Sequence, residues 1–229
     1  MACIRIALIQ MEIGKCKADN LARAVNLIKK AKSEKAEIIA LPECFNSPYG
    51  TEFFGDYAEN IPSGLSCKTL AKTSLANQVH LVAGSIPEKT HLFDINIPGG
   101  ITFRESETLS AGDSLSSFQL GSWNVGLGIC YDLRFNEMAT LYRKMGCQLL
   151  LYPGAFNMKT GPLHWELLLR ARAVDTQSYV AGIAPARDVG AGYVSFGNSM
   201  LVDPWGKILC RADAKEEILY ATLGKHVNS

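Results

Sequence analysis

This chain of 229 residues lacks several sequence features that are typical of particular protein classes. Charge of one sign is not in excess, because 23 Lys and Arg residues offset 22 Asp and Glu residues to a formal net charge of +1. A basic surface for phosphates is therefore not expected, and neither is nucleic acid as a partner. No run is long and apolar enough to span a bilayer, and Arg5 interrupts the first apolar stretch, which predicts a strand rather than a signal peptide. A membrane partner is not expected either.

Paired cysteines are also missing. The seven cysteines are odd in number and widely spaced, without a CxxC pair, which argues against both a disulfide framework and a zinc knuckle. HExxH, GxGxxG and P-loop motifs are absent as well, so neither a metal site nor a nucleotide site is indicated. This cysteine usage fits a reducing, cytoplasmic compartment best.

What the sequence does contain is an alternation of short β-rich runs and amphipathic helices, in a chain with 48% hydrophobic and 20% charged residues. Such a composition suits a globular protein with a sizeable core, and the alternation predicts an α/β fold. No linker, low-complexity tract or repeat interrupts the chain, so residues 1–229 are predicted to form a single domain. Predicted strands cover residues 4–9, 38–41, 80–86, 125–129, 148–152, 179–183, 194–202, 207–210 and 218–223.

Four helices are predicted between these strands from apolar residues that recur at helical spacing. Asp19 is the expected N-cap of the first helix, and Gly146 is expected to stop the third. Pro162 is expected to open the fourth, which ends near Asp175. The stripes of the first three helices are Leu21, Ala24, Val25 and Ile28; Cys67, Leu70, Ala71 and Leu75; and Phe135, Met138, Ala139 and Tyr142.

Two of the predicted strands stop abruptly on a reactive residue. The apolar run 38–41 is followed by Pro42 and Glu43, and the run 125–129 is followed by Cys130. Because the carboxyl ends of strands in open α/β sheets face the ligand crevice, a thiol and a carboxylate are expected to meet there. Cys130 also lies between a strand and a predicted helix, as a nucleophile on a tight turn does, and the N–H of Tyr131 is placed to receive an oxyanion.

Other interpretations of these residues stay open at this level. A free cysteine is commonly just a small buried hydrophobic residue, and Glu43 alone would suit a turn or a salt bridge. A Cys–His pair would need His80, His91, His164 or His226, and no local signature favours any of them. Metal-assisted hydrolysis lacks the ligand spacing it requires. The carboxylate base therefore remains by elimination.

A family resemblance adds to this interpretation. It runs in order over nearly the whole chain, through the segments LPECFNSPYG at 41–50, HLFD at 91–94, GLGICYDLRF at 126–135, YPGAFN at 152–157, RARAVD at 170–175 and PARD at 185–188. With these segments the chain closely resembles the nitrilase superfamily of carbon–nitrogen hydrolases, and within it the omega-amidase branch.

The resemblance implies an α/β fold arranged as a four-layer α-β-β-α sandwich, a homodimer, and a Glu-Lys-Cys triad without a cofactor. Carried over to this sequence, Glu43 is the base, Cys130 the nucleophile and Lys89 the triad lysine, while Glu105 matches a second glutamate near the site. The implied reaction is hydrolysis of alpha-ketoglutaramate or alpha-ketosuccinamate to the 2-oxo dicarboxylate and ammonia, through a cysteine thioester.

The remote carboxylate of such a substrate needs a cationic or polar partner. Tyr49, Arg172 and Arg187 are the candidates, although packing or structural ion pairing would explain each of them equally well. A related amidase with another small amide substrate, such as deaminated glutathione, is the alternative within the superfamily.

The chain also departs from the family pattern. Family members carry a β-hairpin where Glu88 and Lys89 are joined directly here, and they continue past the position of Ser229 into a tail that contributes to the dimer. Asn198 stands where a Gly-His-Ser pattern is common. Loss of a hairpin would expose strand edges, so a shortened, non-catalytic interaction protein is the alternative outside enzymes.

Overall fold

In the computed structural model, residues 3–84, 91–96, 102–107, 112 and 114–224 are described, and they form two main sheets. The first has the strand order β12-β1-β2-β3, and the second has the order β11-β10-β9-β8-β7-β6. Strands β1 to β3 are parallel, as are β7 to β9, and antiparallel strands complete both sheets. The twelve strands are β1 Cys3–Gln10, β2 Ile38–Ala40, β3 His80–Val82, β4 Asp94–Asn96, β5 Thr102–Arg104, β6 Ser116–Leu120, β7 Trp123–Leu127, β8 Leu149–Pro153, β9 Tyr179–Ile183, β10 Met200–Val202, β11 Ile208–Arg211 and β12 Glu217–Gly224.

Helices cover the outer face of each sheet. Helix α1 packs with α3 outside the four-stranded sheet, and α4 packs with α5 outside the six-stranded sheet. Short 3-10 helices occur at Glu105–Glu107 and Cys130–Arg134, and a π-helical turn, Gly161–Trp165, leads into α5. The α-helices are α1 Lys17–Ser33, α2 Thr51–Tyr57, α3 Leu65–Asn77, α4 Asn136–Lys144 and α5 Glu166–Thr176.

Three buried apolar clusters hold these layers together. The central cluster joins the inner faces of both sheets and includes Leu8 and Ala40 on one side with Leu151 and Ala181 on the other. A second cluster packs α4 and α5 on the six-stranded sheet, and a third packs α1 and α3 on the four-stranded sheet. The predicted four-layer α-β-β-α sandwich is therefore confirmed. The hairpin predicted to be missing at Glu88 falls in residues 85–90, outside the described residues.

Some local predictions were wrong for identifiable reasons. Helix α1 begins at Lys17, so Asp19 lies in its first turn rather than at the N-cap. In α3 the buried face is Ser66, Leu70 and Thr73, at i, i+4 and i+7, and it leaves Leu75 80% exposed.

The strand predicted at 194–202 is also shorter than expected. Gly197 and Asn198 take φ values of 71° and 62°, which the extended backbone of a strand cannot include, and only Met200–Val202 pairs as β10. Within the described part of the chain, no helix has both the length and the apolarity needed to cross a bilayer.

Candidate active site

Glu43 and Cys130 extend from the carboxyl ends of central strands in the two facing sheets. Glu43 follows β2 and is 1% exposed, and Cys130 follows β7 and is 6% exposed. The backbone N–H of Ala155, just beyond β8 in the sheet of Cys130, donates to Oε2 of Glu43 at 3.2 Å. This bond ties Glu43, the predicted base, to the sheet that carries Cys130, the predicted nucleophile.

Each of the two reactive residues packs against a glycine on the neighbouring strand end. A Cβ atom on Gly84 would lie 2.5 Å from Cα of Glu43, and one on Gly154 would lie 2.9 Å from Cα of Cys130. Both distances are too short for ordinary carbon contacts, so only glycine lets the neighbouring backbones approach this closely.

Cys130, the predicted nucleophile, lies on a tight, left-handed turn. Cys130 has φ 49° and begins the short 3-10 helix that precedes α4, which starts at Asn136. Non-glycine residues rarely adopt such a φ, and strained residues of this kind concentrate at functional sites. The turn thus presents the Cys130 side chain at the end of β7.

A buried carboxylate two residues after the nucleophile fixes this turn. Oδ2 of Asp132 accepts the N–H of Ile129 at 2.9 Å, while Oδ1 accepts the N–H of His91 at 2.9 Å and contacts Nδ1 of His91 at 2.8 Å. The imidazole of His91 stacks on Phe135 with centroids 3.6 Å apart. The HLFD segment at 91–94 is therefore fastened to the nucleophile turn, a role for His91 and Asp132 that the sequence analysis missed.

The other histidines have different surroundings. Nδ1 of His164 lies 3.1 Å from a guanidinium nitrogen of Arg134, and His80 lies exposed at the start of β3. His226 falls outside the described residues. Nor does the described part of the chain hold a group of three His, Cys, Asp or Glu side chains placed to bind a metal ion.

Glu105 and Tyr49 form a second polar pair at the site. Glu105 is fully buried; its Oε1 accepts the hydroxyl of Tyr49 at 3.2 Å and its Oε2 accepts the N–H of Phe93 at 2.8 Å. Burial raises the pKa of Tyr49 well above its usual value, and the charges of Glu43, Cys130 and Glu105 raise it further. Tyr49 thus lies within electrostatic reach of all three groups and keeps its proton as a hydrogen-bond donor.

Two cavities meet at a pair of tyrosines. The larger cavity, of about 230 Å³, is lined by Glu43 among other residues, and the smaller cavity, of about 10 Å³, is lined by Cys130 among others. Tyr49 and Tyr193 line both cavities, with their ring centroids 4.5 Å apart. The tyrosine pair is therefore a common wall between a base-side cavity and a nucleophile-side cavity.

Arg134 is a cation beside the thiol that the sequence analysis did not select. It lines the nucleophile-side cavity, and its guanidinium lies 4.8 Å from the ring centroid of Phe156. Burial lowers the pKa of Arg134, whereas the nearby groups of Tyr131, Cys130 and Tyr193 oppose that shift. Its position four residues after Cys130, on the same turn, was the signal that could have identified it.

The arginines that were selected lie elsewhere. Nε of Arg172 donates to the carbonyl of Leu133 at 3.0 Å, and its NH2 group donates to the carbonyl of Arg134 at 3.0 Å. Arg172 therefore stabilises the backbone of the turn that follows Cys130. Arg187 donates to the carbonyl of Phe196 at 2.6 Å and lines a separate cavity with Arg23. Neither guanidinium lines the two cavities of the site.

The remaining predicted residues are placed as follows. The ring of Tyr131 lies between Phe93 and Phe135, at centroid distances of 5.1 and 5.4 Å, and its backbone directly follows the nucleophile. Its oxyanion role stays a prediction. Lys89 falls outside the described residues, so its part in a triad stays a prediction too.

Comparison with known proteins agrees with this geometry. The chain matches the model of the carbon-nitrogen hydrolase family over residues 5–89 and 85–227. It is similar to Omega-amidase NIT2 of Mus musculus, at 51% identity over 97% of this chain and 89% of the relative, and to Omega-amidase NIT2 of Homo sapiens, at 49% identity with the same coverage.

A solved structure supports the same relationship. Saccharomyces cerevisiae Nit3, described as a member of branch 10 of the nitrilase superfamily, matches with a TM-score of 0.88 and 38% identity, covering 96% of this chain and 90% of that one. The resemblance to the nitrilase superfamily is therefore confirmed. The chain belongs to the carbon-nitrogen hydrolase family.

Proposed function

We propose that this chain is an omega-amidase, which hydrolyses alpha-ketoglutaramate and alpha-ketosuccinamate to the 2-oxo dicarboxylate and ammonia. Relatives named omega-amidase are about half identical to it over nearly its whole length. The observation that carries the proposal is the meeting of a buried carboxylate and a buried thiol around Tyr49, at the facing strand ends of the two sheets.

The first half-reaction forms a thioester. Glu43 takes the proton of the Cys130 thiol, and the thiolate attacks the amide carbon. The N–H of Tyr131 and the ammonium of Lys89 stabilise the tetrahedral oxyanion, an effect worth about 3 kcal/mol for each such donor in other enzymes. The protonated Glu43 then donates its proton to the leaving nitrogen, and ammonia departs.

The second half-reaction releases the acid. Glu43, ionised again, takes a proton from water as that water attacks the thioester carbonyl. The intermediate collapses to the carboxylic acid and the Cys130 thiolate, which takes the proton back from Glu43. One carboxyl group therefore serves both steps. The hydrogen bond from Ala155 holds it in place for each.

We assign recognition of the substrate's remote carboxylate to Tyr49, which lines both cavities. The hydroxyl of Tyr49 remains protonated, so it presents a donor to an anion, and Arg134 adds a partly buried positive charge in the cavity of the thiol. We place Arg172 in a supporting role, because its guanidinium holds the carbonyls at Leu133 and Arg134. Arg187 is given no role in binding.

The experiment compares three amides and two cysteine variants. Ammonia release is measured with alpha-ketoglutaramate, deaminated glutathione and neutral butyramide, and the expected ranking places alpha-ketoglutaramate first. Cys130→Ala should abolish release, whereas Cys147→Ala, which also deletes one buried sulfur, should retain it. Turnover by Cys130→Ala near that of the unmodified chain would contradict the thiol mechanism. Faster release from deaminated glutathione would assign the chain to the rival amidase class.

A homodimer is proposed as well. Exposed apolar side chains concentrate on α4, α5 and the adjoining turns, in the layer outside the six-stranded sheet, and such patches mark interfaces. The mass in solution tests this: Leu167→Glu should yield monomers, whereas Leu75→Glu, on the opposite outer layer, should not. A monomeric unmodified chain would contradict it. The side chains concerned are Leu141, Met145, Leu163, Leu167, Val174 and Trp205.

The proposed location is the cytoplasm. All seven cysteines are free thiols, and a reducing compartment keeps a thiol nucleophile available. Reporter fusions and cell fractionation test this, and enrichment in a secretory compartment would contradict it.

A further inference from the structure

The wall between the two cavities consists of two half-buried tyrosines, each of them held by neighbouring groups. The Tyr49 ring has Phe54 at a centroid distance of 5.8 Å, and its hydroxyl donates to the buried Glu105. Tyr193 is half-buried and ends a surface loop, 188–192, that contains Gly190 and Gly192.

The size of the nucleophile-side cavity makes this wall important. At about 10 Å³ it has room for about one water molecule, so the acyl chain of an amide bonded to Cys130 must extend beyond it. The base-side cavity, at about 230 Å³, has room for a small acyl chain, and Tyr193 stands between it and the thiol. The acyl chain of a bound substrate must therefore pass along the Tyr193 ring.

Tyr193 is also connected to the base. The hydroxyl of Tyr193 donates to the carbonyl of Ala155 at 2.5 Å, and the N–H of Ala155 donates to Oε2 of Glu43 at 3.2 Å. The hydroxyl therefore helps to hold the residue that orients Glu43. The ring and the hydroxyl have separable effects, one on the space for the acyl chain and one on the position of the base.

We propose that Tyr193 is a specificity-determining residue, whose ring limits the length of the acyl chain that the site accepts and whose hydroxyl positions Glu43 through Ala155. The inference rests on the amidase function proposed above and adds to it the residue that selects short acyl chains.

The first test measures kcat and KM for a series of linear amides from butyramide to hexanamide. In Tyr193→Ala the two cavities join, so the ratio of kcat/KM for hexanamide to that for butyramide should rise about tenfold or more. In Tyr193→Phe the ring remains, so this ratio should stay the same while kcat falls several-fold, because the bond to Ala155 is lost. Val189→Ala, on the same loop at 83% exposure, is the matched control and should change neither quantity.

The second test does not depend on turnover. Labelling of Cys130 by iodoacetamide and by a bulky maleimide is followed by peptide mass spectrometry, with the exposed Cys16 as an internal reference. Tyr193→Ala should raise the bulky-to-small labelling ratio about tenfold at Cys130 and leave it unchanged at Cys16. Should Tyr193→Ala fail to fold, Tyr193→Leu gives the same comparison with a shorter side chain.

The outcomes separate the two proposals. If both ratios are the same in Tyr193→Ala and the unmodified chain, the ring is not the wall and the inference is overturned. If the unmodified chain hydrolyses no amide but the labelling ratio rises in the variant, the amidase proposal fails while the wall stands. A Tyr193→Phe variant with unchanged kcat would remove the hydroxyl's positioning role.

Discussion

Replacing Gly154 with alanine perturbs the nucleophile without touching any reacting atom. Gly154 lies just after β8, and the added Cβ would meet Cα of Cys130 at 2.9 Å and its backbone N at 3.4 Å. The backbone of Gly154 is not in the left-handed region, so alanine introduces no strain of its own there. Any effect therefore comes from the contact with the nucleophile turn.

The magnitude follows from that contact. Carbon atoms approach most favourably at about 3.5–4.0 Å, so the turn carrying Cys130 must move away by roughly 0.6 to 1 Å. A misplacement of about 1 Å at a reacting group costs about 100-fold in rate, and overpacking of a filled interior costs about 1–3 kcal/mol of stability. We expect kcat to fall about 100-fold, while the protein remains folded with a moderately smaller free energy of unfolding.

The assay combines steady-state ammonia release with the rate of Cys130 acylation by an activated ester, and urea unfolding reports stability. Gly55→Ala is the matched control, because its Cβ would meet nothing within 4 Å and it lies inside α2. That control should keep its kcat and gain about 0.5–1 kcal/mol of stability. Acylation by Gly154→Ala as fast as in the unmodified chain would refute the argument that the glycine sets the position of the nucleophile.

Three further changes test the surrounding groups. Glu43→Gln keeps the shape of the side chain but cannot accept a proton, so the rate of thioester formation should fall about 100-fold or more and recover partly as the pH rises. Pre-steady-state assays measure this rate, and equal rates in the variant and the unmodified chain would refute Glu43 as the base. Asp132→Asn weakens the carboxylate that accepts the N–H groups of Ile129 and His91, so the free energy of unfolding measured in urea should fall by about 2 kcal/mol. The kcat should also fall, with little change in KM. An unchanged free energy of unfolding would contradict this. Because the pKa of Tyr49 is raised well above 10.0, its hydroxyl should stay protonated up to that pH, and Tyr49→Phe should lower kcat/KM without moving the alkaline limb of the pH–rate profile; a moved limb would contradict this.

The α/β alternation and the positions of Glu43 and Cys130 at strand ends follow from local sequence patterns, whereas the four-layer sandwich and the roles of both residues were implied by the family resemblance. An apolar run that ends on Glu43 or on Cys130 is visible within ten residues, and the rule that strand ends meet at a ligand crevice brings the two together. The structure places them at the facing ends of β2 and β7. The pattern located the two strand ends, but it did not predict that they belong to two different sheets.

Long-range contacts could not be predicted in the same way. Whether an arginine reaches a cavity or a carbonyl depends on the packing of its element, which is why Arg172 was selected and Arg134 was not. The close approach of Gly84 to Glu43 depends on the order of strands in the sheet. Tyr193 belongs to a loop without periodicity, so no pattern in the sequence placed it beside Tyr49.

The position of base and nucleophile on different sheets has a mechanical consequence. Packed sheets lie about 10 Å apart, and the core between them sets that spacing through side chains such as Leu8 and Leu151. At the carboxyl ends, the bond from Ala155 to Glu43 spans the same gap. The distance over which Glu43 must take a proton from Cys130 is therefore determined by the packing of the whole inter-sheet core, and a truncation in that core should reduce thioester formation even where the fold survives.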